Sequence, residues 1–208
     1  MLSAFLEPFP LVAILRGITP EEVVPVGRAL AEAGFRVIEV PLNSPRACES
    51  IRLLRNELNE RHLVGAGTVT SAEQVWEVAA AGGQIIVMPH SDPVVVRSAK
   101  SAGLYCAPGI ATPTEGFAAL AAGADALKLF PSEVIGPAGL KAMRSVFPRE
   151  TIFLPVGGIT PDSMGEFVAA GASGFGLGSA LYRPGMDADE VARTAGAFVA
   201  AWERVRSR

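Results

Sequence analysis

The chain has 208 residues, half of them hydrophobic, and a formal net charge of −3. This length and hydrophobic content favour one compact domain with a sizeable buried core. The 18 basic and 21 acidic residues form no long runs, so the charge pattern argues against a nucleic-acid or anionic-membrane surface. Small molecules or further protein subunits are the expected partners.

The cysteines and the N-terminal segment bear on the cellular compartment. Cys48 and Cys106 form no CxxC pair and are too few for a disulfide framework, which favours a reducing environment. Residues 1–10 contain Glu7 and two prolines in place of a basic region followed by an apolar run. No stretch of about 18 apolar residues occurs in the chain, so we expect a soluble, cytoplasmic protein.

One unit repeats about eight times along the chain: a short apolar run, a turn rich in small residues, and a longer amphipathic stretch. This alternation predicts a parallel sheet with right-handed crossovers, and units of roughly 25 residues favour a closed (β/α)₈ barrel over an open doubly wound sheet. We expect neither a linker nor a second domain. The predicted strands are Leu11–Arg16, Val37–Leu42, Leu63–Thr68, Gln84–Met88, Leu104–Ala107, Ala126–Phe130, Ile152–Val156 and Gly174–Gly178.

Capping residues mark the boundaries of several helices. The segment Pro20–Ala33 begins after Thr19 and ends before Gly34, and Ala72–Ala81 lies between a serine and a Gly-Gly pair. Both arrangements are typical of helix ends. A long final helix, about Ala188–Arg206, carries an apolar stripe that predicts packing against the barrel.

Lys128 is the most informative polar residue in the predicted strands. Alternation along Ala-Leu-Lys-Leu-Phe-Pro places Leu127 and Leu129 toward the helices and Lys128 inside the barrel. Apolar surroundings disfavour the charged ammonium, and a neutral amine is the form that attacks a ketone to give a Schiff base. The structural alternative is a lysine whose amine snorkels to a barrel end.

Glu39 shows the same pattern in the second predicted strand, where Ile38 and Val40 flank it. It should therefore also point into the barrel. An inward carboxyl group and an inward lysine would supply the proton transfers and the nucleophile of Schiff-base aldol chemistry. The alternative is a buried Glu–Lys ion pair, which the cost of desolvating both ions disfavours.

Other candidates for substrate contacts follow predicted strands. Arg16 could hold a carboxylate in fork geometry, although a strand-end arginine can equally face solvent. Thr68 could donate its hydroxyl to the same carboxylate, and helix capping is an equally good interpretation. The glycines before Thr68 would let a ligand approach the backbone. We also expect Pro89 and Phe130 to contact the substrate.

Two glycine-rich turns, Val156-Gly157-Gly158 and Gly176-Leu177-Gly178-Ser179, follow the seventh and eighth predicted strands. These are the usual loops for phosphate in a barrel, where backbone N–H groups bind the anion. Either turn alone is weak evidence, whereas both together predict a phosphorylated substrate. His62 and His90 have no carboxylate or cysteine at metal-ligand spacing, so we expect no metal and no other cofactor; His90 can line the mouth.

Taken in order, these motifs resemble the 2-keto-3-deoxy-6-phosphogluconate/6-phosphogalactonate aldolase family over nearly the whole chain. The resemblance implies a class I aldolase and a trimer of (β/α)₈ barrels. It also implies a pyruvate Schiff base on Lys128, Glu39 as acid and base, Arg16 and Thr68 at the carboxylate, and both glycine turns at the phosphate. The matching motifs are Ile14-Leu15-Arg16-Gly17-Ile18, Ile38-Glu39-Val40, Gly65-Ala66-Gly67-Thr68, Leu127-Lys128-Leu129-Phe130-Pro131, Val156-Gly157-Gly158 and Gly178-Ser179.

Two departures concern the choice of substrate. The gluconate branch of the family typically has Thr-Leu-Arg-Thr after the glutamate's valine, and a threonine before the Gly-Gly pair. This chain has Pro41-Leu42-Asn43-Ser44-Pro45 and Val156 there, and these departures resemble the galactonate branch. Losing a hydroxyl at position 156 removes a hydrogen bond to one C4 epimer. We therefore expect cleavage of 2-dehydro-3-deoxy-6-phosphogalactonate to pyruvate and D-glyceraldehyde 3-phosphate; the alternative is the 6-phosphogluconate epimer, or both.

Two further functions are compatible with these residues, since a fold alone does not determine an activity. One is another phosphate-binding barrel, an isomerase or decarboxylase that uses Glu39 and Lys128 without a covalent adduct. The other is a non-catalytic phosphosugar-binding barrel. Pyruvate-dependent inactivation by borohydride would exclude the first, and turnover that depends on Lys128 would exclude the second.

Overall fold

The computed structural model describes residues 1–206 as strands that alternate with helices. The strands are β1 (Leu11–Ile14), β2 (Val37–Pro41), β3 (Leu63–Gly67), β4 (Ile85–Val87), β5 (Tyr105–Ala107), β6 (Gly109–Ile110), β7 (Leu127–Leu129), β8 (Phe153–Pro155) and β9 (Phe175–Leu177). The helices are α1 (Pro20–Glu32), α2 (Ala47–Glu57), α3 (Ala72–Ala80), α4 (Pro93–Ser101), α5 (Pro113–Ala121), α6 (Ser132–Arg144), α7 (Met164–Ala169) and α8 (Ala188–Arg206). A 3₁₀ helix, Leu2–Leu6, precedes β1.

The strands form two parallel sheets, one in the order β5-β4-β3-β2-β1-β9 and the other in the order β6-β7-β8. The predicted parallel α/β fold is thus confirmed, while the predicted fifth strand is followed by an additional short strand, β6. Pro108 separates β5 from β6, and its missing N–H interrupts the ladder there. Backbone contacts still cross both gaps: the Asp125 N–H donates to Cys106 O at 2.9 Å, and Val156 bridges to Gly176.

Two buried apolar clusters confirm the predicted strand alternation. In the larger cluster, outward residues such as Ile38 and Leu127 pack against the helices. In the smaller cluster, inward residues such as Val12 pack with Leu2 and Leu6 of the 3₁₀ helix. The 3₁₀ helix therefore covers the interior at the amino ends of the strands, which leaves the carboxyl ends for the site.

The predicted helix boundaries hold to within one residue. Thr19 and Glu22 form a capping box on α1, with a Thr19 N–H to Glu22 Oε2 distance of 3.0 Å. Apart from β5, the predicted strands end earlier than expected, so that Arg16 and Thr68 lie in the loops after β1 and β3. Within residues 1–206, no helix combines the length and the apolar character needed to span a membrane.

Candidate active site

A cavity of about 410 Å³ opens at the carboxyl ends of the strands. All the predicted site residues line it except Glu39, which lies in a small apolar cavity that also contacts Lys128. The lining residues that were predicted are Arg16, Thr68, Pro89, Lys128, Phe130, Val156, Gly157, Gly158, Gly178 and Ser179. The structure therefore brings together residues from nearly the whole length of the chain.

Lys128 lies in the middle of β7, between two leucines that are fully buried against the helices. Its side chain is 6% exposed, and its Nζ atom lies 4.7 Å from the centre of the Phe130 ring. Burial lowers the pKa of the Lys128 amine; the nearby Glu39 carboxylate opposes this shift, and Arg16 adds to it. A lowered pKa increases the fraction of neutral amine, which is the nucleophilic form.

Glu39 is 1% exposed and points inward from β2. Burial raises the pKa of its carboxyl group to about 7, against the opposing charges of Lys128 and Arg16. Among the described residues, its Oε2 atom has no hydrogen-bond partner and no direct ion pair joins it to Lys128. A carboxyl group with a pKa near neutrality and an uncommitted oxygen can both accept and donate a proton.

Arg16 is exposed at the mouth but is not free in solvent. Its Nη1 atom donates to Asn43 Oδ1 at 2.6 Å, and its Nη1 and Nη2 atoms donate to Thr68 Oγ1 at 3.4 and 3.3 Å. The guanidinium is thereby held by two loops while it lines the cavity. A fixed guanidinium can bind a carboxylate through two parallel hydrogen bonds.

Thr68 adopts a backbone conformation that is rare for a β-branched residue, with φ at +56°. The alternative interpretation of Thr68 as a helix cap is wrong, because Ser71 caps α3 by accepting from the Gln74 N–H. Strained backbone of this kind is concentrated at functional sites. Here it places the threonine hydroxyl beside the Arg16 guanidinium.

The two glycine-rich turns both line the cavity, and a backbone bridge between Val156 and Gly176 joins them. Gly157 and Gly158 have φ values of +105° and +65°, which side chains other than glycine rarely adopt. A side chain at Gly157 would also overlap the Glu133 carboxylate, which lies behind the turn. Ser132 Oγ donates to Gly157 O at 2.5 Å and fixes the turn to α6. The backbone of such turns can approach an anion closely.

The chain matches a family model described as KDPG and KHG aldolase over residues 2–195. It belongs to this family. It is 46% identical to "2-dehydro-3-deoxy-6-phosphogalactonate aldolase" of Escherichia coli (strain K12), over 93% of this chain and 94% of that protein. It is 37% identical to "2-dehydro-3-deoxy-phosphogluconate aldolase" of Treponema pallidum (strain Nichols), over 72% of this chain and 70% of that protein. A solved structure named "Native KDPGal structure" superposes with a TM-score of 0.95 at 44% identity, covering 97% of this chain and 98% of that one.

Membership of the KDPG and KHG aldolase family confirms the resemblance inferred from the motifs. The protein is an aldolase, a lyase that acts on carbon–carbon bonds. An isomerase, a decarboxylase or a non-catalytic barrel is accordingly not favoured. Among residues 1–206, no group of three or more His, Cys, Asp or Glu side chains is arranged to hold a metal ion.

Three polar residues of this aldolase site were not predicted: Asn43, Thr160 and Arg183. Asn43 stands 27 residues from Arg16 in the chain, and was noted only as a departure from one branch of the family. Arg183 lines the cavity next to the Gly178-Ser179 turn but lies in a loop with no periodic pattern. A cation shortly after the second glycine-rich turn was the available signal for Arg183. His90 is half-buried and outside the cavity lining.

Proposed function

We propose that this aldolase reversibly cleaves 2-dehydro-3-deoxy-6-phosphogalactonate into pyruvate and D-glyceraldehyde 3-phosphate. The observation that carries the proposal is the position of Val156, an apolar side chain 7% exposed, which lines the same cavity as Lys128. Gly176 leaves room for it, since an added methyl group there would lie 2.6 Å from Val156 Cγ2. The name of the E. coli relative supports the same substrate.

In the proposed reaction the neutral Lys128 amine adds to the C2 ketone of the substrate, and loss of water from the carbinolamine gives a protonated Schiff base. This positively charged nitrogen attracts the electron pair of the C3–C4 bond. Arg16, held by Asn43 and Thr68, binds the C1 carboxylate and so aligns the ketone with the amine.

Glu39 carries the proton transfers in this proposal. Its carboxylate removes the proton of the C4 hydroxyl, the C3–C4 bond breaks, and C4 leaves as the aldehyde carbon of the triose phosphate. The electron pair remains on the Lys128 adduct as an enamine, which takes a proton at C3. Water then hydrolyses the resulting Schiff base, which releases pyruvate and restores the amine. A carboxyl group with a pKa of about 7 is suited to both directions of transfer.

The phosphate is proposed to bind between the Gly157-Gly158 and Gly178-Ser179 turns, with Arg183 as its charged partner. We expect Arg183→Ala to raise KM for the phosphorylated substrate by roughly tenfold, since a charged hydrogen bond is lost. Turnover of the same keto acid without its phosphate should not change. Steady-state kinetics on both substrates would measure this, with Arg193→Ala on the exposed face of α8 as the matched control. Equal KM increases for both substrates would contradict the assignment.

We also propose that the chain forms one domain, a closed (β/α)₈ barrel. The backbone contacts across both gaps between the sheets support this.

We propose that the protein assembles as a homotrimer in the cytoplasm. Trp76, Val94 and Phe117 are about half-exposed on the successive helices α3, α4 and α5, and subunit contacts commonly cover such surfaces. The free thiols of Cys48 and Cys106 fit a reducing compartment.

Light scattering tests the proposed trimer and should give three times the 21.6 kDa chain mass. A monomer in solution would exclude the trimer.

The substrate assignment is tested by pyruvate release from the two C4 epimers, side by side and without added metal. We expect the 6-phosphogalactonate compound to be cleaved faster. Val156→Thr, which replaces a methyl group with a hydroxyl at similar volume, should narrow that preference by roughly tenfold because it gives the other epimer a hydrogen-bond partner. If the unaltered protein released pyruvate equally from both epimers, or faster from the 6-phosphogluconate compound, the aldolase activity would stand and the choice of epimer would be overturned.

A further inference from the structure

The carboxylate of Glu39 lies over the backbone of Gly67 in the neighbouring strand. A methyl group added at Gly67 would come within 3.0 Å of Glu39 Cδ, Oε1 and Oε2. Real side chains do not approach one another so closely, so either the added group or the carboxylate would have to move. The carboxylate thus occupies the space that a side chain at position 67 would fill.

Strand register shows the direction in which the carboxylate leans. The β2–β3 ladder pairs Glu39 with Gly65, and Pro41 with Gly67. The carboxylate therefore reaches two residues forward of its own partner, toward the carboxyl ends of the strands where the cavity opens. Thr68, the next residue, lines that cavity.

Polar contacts do not fix the carboxylate in this position. Within residues 1–206, Oε2 of Glu39 has no hydrogen-bond partner. Its position is therefore determined by the shape of its surroundings and by the charges of Lys128 and Arg16. In such a packed interior, one additional carbon atom displaces its neighbour.

The backbone conformation does not explain the glycine at position 67. Its φ is not in the positive range that favours glycine, unlike that of Gly157 or Gly158. Alanine could adopt the same conformation in β3, and the strand pairing would be retained. The requirement for glycine at this position is steric, and the three atoms nearest to an added carbon all belong to Glu39.

We propose that Gly67 is a positioning residue that sets the reach of the Glu39 carboxylate toward the substrate. This inference rests on the proposed acid–base role of Glu39. It assigns to Gly67 an effect on the rate of proton transfer without any contact between Gly67 and the reacting atoms.

The first test is the kinetics of Gly67→Ala and of the double variant Glu39→Asp/Gly67→Ala. Gly67→Ala should lower kcat by roughly 100-fold with little change in KM, since a displacement of about 1 Å can have this effect. Aspartate is shorter by one methylene group and withdraws the carboxylate from the added methyl group. The loss caused by Gly67→Ala should therefore be much smaller in the Glu39→Asp background than in the wild-type background. Equal losses in both backgrounds would overturn the proposal.

The second test uses thermal unfolding and does not depend on activity. Gly67→Ala should lower Tm in the wild-type background and leave it nearly unchanged in the Glu39→Ala background, where the space is empty. An equal decrease in both backgrounds would mean that the added methyl group meets something other than Glu39. Gly196→Ala in α8, where an added carbon has no neighbour within 4 Å, is the matched control. If the wild-type protein released no pyruvate, the proposed function would fail while this test would still report on Gly67.

Discussion

Lys128→Ala should lower pyruvate release by roughly 10⁴-fold or more, because it removes the proposed nucleophile and with it the proposed covalent intermediate. Borohydride added with pyruvate should reduce and trap the Schiff base in the wild-type protein, which raises its mass by that of the pyruvate adduct. The variant should show no such increase. Pyruvate release and intact-protein mass spectrometry measure the two effects independently.

The Lys128 variant should remain folded. Within the described residues the Lys128 amine takes part in no hydrogen bond or ion pair, and it lies over the Phe130 ring. Lys141→Ala, on the exposed face of α6, is the matched control and should keep full activity. Substantial pyruvate release by a folded Lys128→Ala protein would show that the reaction proceeds without the proposed adduct.

Glu39→Gln should lower kcat by roughly 10²- to 10⁴-fold, the usual contribution of a general acid–base group. In the wild-type protein, kcat should fall as the pH decreases through about 7, because a protonated Glu39 cannot accept the C4 hydroxyl proton. The variant should lose this dependence on pH. Rates measured between pH 5 and 9, with Glu166→Gln on α7 as the control, test the prediction.

The same carboxyl group makes folding stability depend on pH. The ordinary pKa of a glutamate carboxyl group, taken for the unfolded chain, is 4.5, and the pKa of Glu39 in the folded protein is about 7. The folded state therefore binds the proton more tightly than the unfolded state. The free energy of unfolding should therefore decrease as the pH rises from about 4.5 to about 7, by an amount on the order of 3 kcal/mol. Urea titrations of the wild type and of Glu39→Gln at several pH values should show this decrease in the wild type alone. If the free energy of unfolding changed equally with pH in both proteins, the Glu39 carboxyl group would have to be solvated.

Much of the fold could be predicted because the chain repeats simple local signals. Caps such as Thr19 before α1 depend on neighbouring residues only, and they mark helix ends wherever the rest of the chain lies. The interruption of the sheet at Pro108 was not predicted. The interruption depends on which strands pair with the chain on either side of Pro108, and the residues around Pro108 do not specify those strands.

The proposed catalytic pair could be identified for a different reason. Lys128 and Glu39 are single charged residues in short apolar strands, and alternation of strand residues alone places them inside. The contact between Arg16 and Asn43 could not be predicted, because it joins loops from two separate βα units. The position of Glu39 over Gly67 depends on the β2–β3 register, which the sequence does not state directly.

The 3₁₀ helix at the start of the chain has a consequence for construction of fusion proteins. Leu2 and Leu6 pack into the interior at the amino ends of the strands, and Arg206, the last described residue, lines a surface groove with Ser3 and Leu6. The described chain ends therefore lie close together on the side opposite the cavity mouth. Cargo, a surface anchor or a second enzyme could be attached there through a short spacer while the cavity mouth stays open. Since Leu2 is itself part of the buried cluster, the spacer at the start of the chain should precede Met1 and leave the leucines in place.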